Sequence, residues 1–340
     1  MKFSLKGFGR RLSALVLVVS LLLPTTGCMQ QEQEKSDGSV PYEVLVPYPV
    51  TVLGERFEQA PERIISLSPV LTRLFYDFGL EDALIGITDN TVLPDGTDSA
   101  DLLRVGTSTS PDIDMILEAN PNFIISMFEL PEFETKKIES AGIPILVFPQ
   151  VWDLSGLETL YRNLGLMFSG AGSNRKTERH VPRDPKYLEA YEAVAADYRE
   201  ITQQINGQKK SYLYIDSPEG LVLTGDTPES GLLSFIMDNA AETGELYTMD
   251  MEKLLASPPD FVFYNPEIEA SAITESELWQ QIPAVQEGRI APLEIRRLTW
   301  LESDGIRAVW QEAAAYLYPA DSGESVEESA ESEAGEDSAA

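Results

Sequence analysis

Short apolar segments alternate with segments of helical periodicity over most of the chain. Residues 64–67 form an apolar, largely β-branched run, Ser68-Pro69 interrupts it, and apolar residues then recur at helical spacing as far as Leu80. Further strands are predicted at 84–87, 123–126 and 145–148, with helices at 113–119 and 133–141. Strands that are apolar throughout and separated by helices indicate a parallel sheet covered on both faces.

The same alternation restarts after the middle of the chain and predicts a second α/β lobe. Its strands are predicted at 212–215, 261–264 and 289–293, and its helical segments at 232–240, 251–256, 277–282 and 306–317. Between the lobes, residues 187–205 have the periodicity of a long connecting helix. The polar stretch 170–184 before it predicts a surface insertion.

The N-terminus has the order of a secretion signal. Basic residues up to Arg11 precede an apolar run that ends at Leu23, and Cys28 follows four residues after Pro24. The most apolar part, 14–23, is shorter than the roughly 20 residues of a membrane-spanning helix, which favours a cleaved signal over an uncleaved anchor.

Cys28 is the only cysteine, and its position after Gly27 resembles the lipobox of bacterial lipoproteins, although Thr25 stands where that motif usually has leucine. The resemblance implies lipid attachment at Cys28, the alternative being ordinary signal cleavage beside an incidental cysteine. More than one acyl chain suffices for stable anchoring at about 0.8 kcal/mol per buried methylene.

The charge of the chain is strongly negative, at -31. Residues 321–340 hold eight carboxylates and no basic residue, which predicts a disordered tail. So acidic a chain is predicted to bind neither nucleic acid nor anionic lipid headgroups, so that the lipid is its only attachment to the membrane.

Residues for catalysis or for a bare metal ion are scarce. The single histidine, His180, lies in the polar insertion, so no Ser-His or Cys-His pair can form in the folded lobes. One histidine is also too few for a zinc or manganese site of its own, and no glycine-rich phosphate loop is present. The protein is therefore predicted not to be an enzyme and to have no cofactor; a hydrolase that uses paired carboxylates is the alternative.

An ordered set of motifs runs through both lobes. The motifs are PERIISLSP (61–69), LIGITD (84–89), VG (105–106), ILEANPN (116–122), LASPPDF (255–261) and PAVQEGRI (283–290). With these motifs the chain resembles, over about residues 50–319, the bacterial solute-binding proteins of transporters for iron-siderophores, haem and cobalamin.

The resemblance implies a fold and a set of partners. The fold is two α/β lobes with central parallel sheets, joined by a single long helix, with the ligand cleft between them. The partners are an ABC permease and its ATPase, and the ligand is an iron complex (siderophore or haem) or a corrinoid, which itself contains the iron or cobalt. Another small ligand on the same scaffold is an alternative.

The predicted organisation places a monomer on the extracytoplasmic face of the cell membrane. Its segments are a signal peptide (1–27), a flexible tether (28–42), an N-terminal lobe (43–168), an insertion with the connecting helix (169–208), a C-terminal lobe (209–319) and a disordered acidic tail (320–340).

Ligands of open α/β sheets bind beyond the carboxyl ends of the strands, so the loops that follow the strands are the candidate site. These loops are 68–69, 88–90, 107–110, 127–129, 150–152, 216–218, 225–227, 264–266 and 294–300. Within them, aromatic rings suit a macrocycle and arginines suit anionic oxygens, the alternatives being core packing and ion pairs. The candidates are Ser68, Pro69, Asn90, Thr107, Ser108, Phe128, Trp152, Tyr264, Arg296, Arg297 and Trp300.

Two carboxylates are candidates for docking to the permease. In the family that the chain resembles, an acidic residue on each lobe meets arginines of the permease, and by motif position these are Asp114 and Glu252. The alternative is that both only stabilise the first turn of a helix. The family commonly has Thr-Glu where this chain has Thr72-Arg73, so Arg73 is predicted either to favour an anionic ligand or to be solvated.

Overall fold

The computed structural model describes residues 47–97, 100–173, 180–205, 207–241 and 247–319. The predicted signal peptide, Cys28 with the tether, and the acidic tail of 320–340 lie outside these residues. None of the helices within the described residues is both long enough and apolar enough to cross a membrane.

Short strands and helices alternate along the described residues. The strands are β1 Val50–Val52, β2 Glu55–Phe57, β3 Ile64–Ser66, β4 Leu84–Ile87, β5 Leu103–Arg104, β6 Gly106–Thr107, β7 Ser110–Pro111, β8 Phe123–Ser126, β9 Ile145–Val147, β10 Ala171–Ser173, β11 His180–Pro182, β12 Ser211–Ser217, β13 Leu221–Val222, β14 Asp238–Asn239, β15 Phe261–Tyr264 and β16 Ile290–Pro292. The helices are α1 Pro69–Asp77, α2 Ile113–Ala119, α3 Glu132–Ser140, α4 Leu154–Ser169, α5 Lys186–Ile205, α6 Pro228–Leu233, α7 Met251–Ala256, α8 Ala270–Thr274, α9 Pro283–Gln286, α10 Arg296–Thr299 and α11 Ser303–Leu317, with 3₁₀ turns at Glu81–Ala83 and Trp279–Gln281.

The first lobe is built on a parallel sheet of order β5-β4-β3-β8-β9. Helix α1 begins where β3 ends because the Ser68 hydroxyl accepts a hydrogen bond from Leu71 N at 3.2 Å, and Pro69 needs no N–H partner at the first helical position. Helix α2 ends at Asn120, which adopts the left-handed conformation with φ of 48°. The strands and helices predicted for this lobe are confirmed.

The second lobe is built on a sheet of order β13-β12-β15-β16, in which β14 also pairs with β12. Strands β12, β14, β15 and β16 pair in parallel, and β13 is antiparallel to β12. The predicted parallel core is confirmed, with an antiparallel edge strand added. Trp279 is fully buried in the core of this lobe and donates its indole N–H to Pro218 O at 2.9 Å.

Side chains of the central strands alternate between two apolar layers. Ile64 and Tyr212 belong to one cluster, which also includes residues of α4, α5 and α11 from both sides of the cleft. The next residues along the strands, Ile65 and Leu213, belong to clusters on the outer faces of their sheets. Because one close-packed core is continuous through both lobes, a large change in the angle between them would require it to repack.

The 20-residue helix α5 carries the chain from the first lobe to the second and packs against α4 and α11. Its one buried carboxylate, Asp197, accepts hydrogen bonds from Arg307 Nε at 3.0 Å and from Gln311 Nε2 at 2.6 Å, both on α11. The predicted connecting helix is confirmed, and its buried charge is paired as burial requires.

The predicted helix at 232–240 is wrong. Helix α6 begins four residues earlier, where Thr227 caps it and Pro228 opens it, and it ends at Leu233. Residues 238–239 instead form β14, with Asp238 N donating to Lys210 O at 2.9 Å. The backbone of residues 238–239 forms hydrogen bonds with the sheet instead of continuing a helix. The sequence Thr227-Pro228 is the signal that marks where the helix begins.

The predicted polar insertion at 170–184 differs from a simple surface loop. Strands β10 and β11 pair in an antiparallel register, and Pro182 packs closely against Gly165 of α4. A Cβ atom on Gly165 would lie 2.5 Å from Pro182 Cγ, so this glycine permits the contact. The two ends of the insertion are therefore part of the packed first lobe.

Candidate ligand-binding site

A cavity of about 330 Å³ lies between the carboxyl edge of the first sheet and helix ends of the second lobe. Its lining residues are Ser68, Pro69, Val70, Asn90, Met127, Phe128, Gln150, Val151, Pro228, Glu229, Leu298, Thr299, Trp300 and Leu301. The first-lobe residues follow β3, β4, β8 and β9, where ligands of parallel sheets bind. The cavity is thus the cleft that the alternation of strands and helices predicts.

Two serines shape the loops that enter the cavity from the first lobe. Ser66 ends β3 and donates its hydroxyl to Ser68 O at 3.0 Å, while Ser126 ends β8 and donates to Phe128 O at 2.8 Å. Both serines are buried, so their hydroxyls need these partners. The same local bond therefore turns the chain after two neighbouring strands, and it leaves the Phe128 ring 55% exposed at the cavity.

The loop that presents Asn90 is held from below by polar groups. The hydroxyls of Thr88 and Thr91, both buried, lie 2.8 Å apart. Arg104 Nη1 donates to the carbonyl oxygens of Thr88 at 3.0 Å and Thr91 at 3.1 Å. The exposed Asn90 side chain therefore stands on an anchored turn, free to meet a ligand.

The second-lobe wall is formed by the start of α6 and by the turn between α10 and α11. Thr299 donates its hydroxyl to Glu229 Oε1 at 2.8 Å, which joins the two parts of the wall. Glu229 is the only ionisable side chain among the lining residues. The site therefore offers apolar surface, amide groups and one carboxylate, but no positive charge.

Five of the eleven predicted site residues line the cavity: Ser68, Pro69, Asn90, Phe128 and Trp300. Met127, Gln150, Leu298 and Thr299 belong to loops that were predicted as candidates, and Val151 lies in one of them. Sequence reasoning missed Val70, Pro228, Glu229 and Leu301. The Thr-Pro start signal of α6 could have extended the candidate loop to Pro228 and Glu229.

The structure does not bring the other six predicted residues to this cavity. Tyr264 is 7% exposed and packs in the outer core of the second lobe. Thr107 and Ser108 lie at the turn between β6 and β7, where Thr107 Oγ1 accepts from Ser110 N at 3.1 Å. Trp152 is 49% exposed beside the lining residue Val151.

The two predicted arginines also lie away from the cavity lining. Arg296 Nε lies 3.0 Å from Glu294 Oε1, and its Nη2 lies 3.1 Å from Glu267 Oε1. These carboxylates raise the pKa of Arg296 and keep the guanidinium engaged. Arg297 is exposed on α10. In the structure, Arg296 therefore forms ion pairs with neighbouring carboxylates, which was the alternative to its binding an anionic ligand.

Arg73 is neither a ligand-facing cation nor a solvated one. Its Nε donates to Glu302 Oε1 across the lobes, and the two side chains are 29% and 19% exposed. Asp77 lies on the same helix as Arg73. Burial, together with the nearby carboxylates of Glu302 and Asp304, raises the pKa of Asp77 to about 6, although Arg73 opposes the shift.

Asp77→Asn is expected to stabilise the protein at pH 8 but not at pH 4. The folded-state pKa of about 6 exceeds the ordinary value of 3.8, so ionisation of Asp77 destabilises the fold progressively as the pH rises between these values. Asp77 is only partly desolvated and keeps more than a third of its surface in solvent, so solvent screening limits the gain to about 1 kcal/mol. Melting curves at both pH values measure this gain in stability, with Asp101→Asn as an exposed control. An equal gain at pH 4 and pH 8 would contradict the raised pKa of Asp77.

The two candidate docking carboxylates occupy equivalent places in the lobes. Asp114 follows the cap Asp112 in the first turn of α2, and Glu252 follows the cap Asp250 in the first turn of α7. Helix α2 leads into β8, which pairs in parallel with β3, and helix α7 leads into β15, which pairs in parallel with β12. The N-termini of both helices therefore lie at the carboxyl edges of their sheets. The Asp114 side chain is 86% exposed and pairs with Lys137 Nζ at 2.5 Å; Glu252 is exposed.

Within the described ranges, no group of three or more histidine, cysteine, aspartate or glutamate side chains is placed to share a metal ion. The absence of a resident cofactor stays a prediction.

The chain resembles known proteins in both sequence and fold. Residues 64–294 match the family described as periplasmic binding protein. YvrC, an ABC transporter substrate-binding lipoprotein of Bacillus subtilis (strain 168), is 23% identical over 320 residues, which cover 90% of this chain and 96% of that protein.

Solved structures with a similar fold include two from Vibrio cholerae. The vitamin B12 binding protein BtuF has a TM-score of 0.56 at 22% identity, and the alignment covers 76% of this chain and 96% of the BtuF chain. The haem-binding protein HutB has a TM-score of 0.59 at 20% identity, and the alignment covers 76% of this chain and 99% of the HutB chain. At these identities the similarity establishes the two-lobed α/β fold alone.

The family match extends from the first residue of β3 to two residues beyond β16. It therefore includes both central sheets, the connecting helix and most of the cavity lining. This chain belongs to the periplasmic binding protein family, a family of solute-binding proteins.

Proposed function

We propose that this protein is the extracytoplasmic substrate-binding subunit of an ABC importer. It binds its ligand in the cavity between the lobes, presents it to the permease and releases it chemically unchanged. The observation that carries the proposal is the cavity itself, which lies at the carboxyl edge of the first sheet and is closed by groups of the second lobe.

The ligand class follows from the chemistry of the lining. Phe128, Trp300, Met127 and Pro69 supply apolar and flat surface, while Asn90 supplies an amide. A ligand with several negative charges would lose its hydration here without gaining a cationic partner. The site therefore favours a bulky, uncharged chelate over a polyanionic one.

Among iron complexes and corrinoids, a corrinoid fits this lining best. Its corrin ring offers a flat apolar face, and its peripheral carboxamides can exchange hydrogen bonds with Asn90 and with backbone groups. Haem carries two propionates and catecholate siderophores carry more charge, and both need cations that the lining lacks. The cavity holds part of such a ligand, and the exposed Phe128 ring extends its apolar surface.

A lipid on Cys28 holds the protein at the membrane in this proposal. The basic and apolar segments before Cys28 support export, and the lipoprotein name of the relative YvrC supports the anchor. The partners are a permease and its ATPase, and the protein acts as a monomer.

A panel of ligands tests the function. Melting temperatures of the full-length chain are measured with cyanocobalamin, haemin, a neutral hydroxamate iron chelate and an anionic catecholate iron chelate. Cyanocobalamin at 100 times its dissociation constant should stabilise the chain by about 2.7 kcal/mol. For a protein of this size, with an unfolding entropy of about 2.1 cal/mol/K per residue, that corresponds to a rise of about 4–5 °C.

The other outcomes are equally informative. Stabilisation by the catecholate chelate alone would overturn the uncharged-ligand assignment. Recovery of a hydrolysed product after incubation, detected by mass spectrometry, would overturn the binding function in favour of a surface enzyme. The recovered ligand should instead have its original mass.

A further inference from the structure

The turn between α10 and α11 carries two lining residues, Trp300 and Leu301. Leu301 is 5% exposed and has φ of 57°, a left-handed conformation that is unfavourable for a bulky side chain. Such a conformation persists only where surrounding contacts impose it. The contacts of this turn therefore decide where the Trp300 ring lies.

Two of these contacts come from the first lobe. The fully buried Tyr161 of α4 donates its hydroxyl to Leu301 O, and Arg73 of α1 donates to the Glu302 carboxylate. The partners are separated by 140 and 229 residues in sequence, so both bonds join distant parts of the fold. Hydrogen bonds of this kind, buried or between charged groups, are strong and directional.

A third contact holds the other end of the turn within the second lobe, where Thr299 donates to Glu229. The backbone on both sides of Trp300 is thus restrained, while its side chain lines the cavity. Arg73, Tyr161 and Glu302 do not line the cavity themselves.

We propose that Arg73, Tyr161 and Glu302 are positioning residues for the ligand site, because they tie the Trp300-Leu301 turn of the second lobe to helices of the first. The inference rests on the proposed function in placing the ligand against Trp300. Loss of either tie lets the turn relax from its left-handed conformation, moves the Trp300 ring and lowers ligand affinity.

Fluorine NMR of the full-length chain labelled with 5-fluorotryptophan tests the positioning without a ligand. The chain has four tryptophans, and Trp300→Phe identifies one resonance. Tyr161→Phe and Arg73→Met should shift or broaden the Trp300 resonance and leave that of Trp279 in place. Arg73→Lys, which keeps the charge, should restore the resonance most of the way to its original position.

A second ion pair provides the matched control. Arg307 pairs with Asp197 at 3.0 Å, with side chains 34% and 11% exposed, but joins α11 to α5 away from the cavity. Arg307→Met should reduce stability and alter the neighbouring Trp310 resonance without moving that of Trp300. A merely structural role for Arg73 would make the two methionine variants behave alike.

Ligand affinity completes the test. For the panel member that stabilises the unaltered chain, Tyr161→Phe and Arg73→Met should raise Kd at least about tenfold, while Arg307→Met should not. An unmoved Trp300 resonance, or a moved resonance with unchanged Kd, overturns the proposal. If no panel member binds, the proposed function fails, and the Trp300 resonance alone still decides the positioning.

Discussion

Replacing Asp114 and Glu252 together with lysine is expected to abolish ligand uptake by cells while leaving ligand affinity unchanged. The two carboxylates lie in the first turns of α2 and α7, at equivalent places on the two lobes, and both are exposed. Neither lines the cavity. If the two carboxylates dock to a basic permease surface, as the family resemblance implies, charge reversal should remove that attraction without touching the bound ligand.

The double reversal should lower stability by about 1–3 kcal/mol. Asp114 pairs with Lys137 on the surface, and exposed pairs of this kind contribute about 0–1 kcal/mol. Loss of a carboxylate near a helix N-terminus costs a further 0.3–1 kcal/mol or so at each site. A permease arginine can displace Lys137 for the same reason, because the surface pair is weak.

Uptake of cobalt-labelled cyanocobalamin in cells and binding by the purified variant measure the two effects separately. Glu200→Lys with Glu277→Lys makes the same change in net charge at exposed positions outside α2 and α7 and should leave uptake intact. Uptake that persists in the Asp114→Lys, Glu252→Lys variant would show that the docking surface lies elsewhere. A parallel loss in the control would assign the effect to net charge.

The strands β3, β4, β8, β9, β12, β15 and β16 of the two sheets could be predicted because each contains a short apolar run bounded by helix or turn signals. Ser68, Asp112 and Asp250 each precede a helical pattern and act as caps in the structure. The antiparallel pair β1-β2 gave no such signal, since polar or charged residues interrupt its short strands, Val50–Val52 and Glu55–Phe57, and no helical pattern separates them. This pair packs on the lobe through a contact between residues far apart in sequence, because Phe57 stacks on Phe123 at 4.7 Å between ring centroids.

The candidate site was predictable only in part, for two physical reasons. The rule that ligands bind beyond the carboxyl ends of strands identifies loops, but it does not say which face of the sheet a strand residue occupies. Tyr264, the last residue of β15, was therefore chosen, although the alternation of side chains along a strand places it in the core. The tie between Arg73 and Glu302 depends on how two helices meet after folding. No local pattern in a single sequence encodes a contact across 229 residues.

A second large effect is expected at Gly231, where the two lobes approach beside the cavity. Gly231 lies on α6, two residues after the lining residue Glu229, and an ideal Cβ there would lie 2.6 Å from Trp152 O. An ordinary glycine-to-alanine change inside a helix stabilises by about 0.5–1 kcal/mol. Here the sign should reverse, because the added atom meets backbone that cannot move aside without separating the lobes.

Gly231→Ala should raise Kd about tenfold and Gly231→Val considerably more, with stability lowered by about 1–3 kcal/mol for the larger side chain. Gly156→Ala in α4 is the matched control, since its Cβ would meet atoms no closer than 3.4 Å. Titration calorimetry with the ligand and melting curves measure both effects. A graded loss of affinity follows only if the lobes must meet at Trp152 to hold the ligand, so tight binding by Gly231→Val would mean that this approach is not part of the bound state.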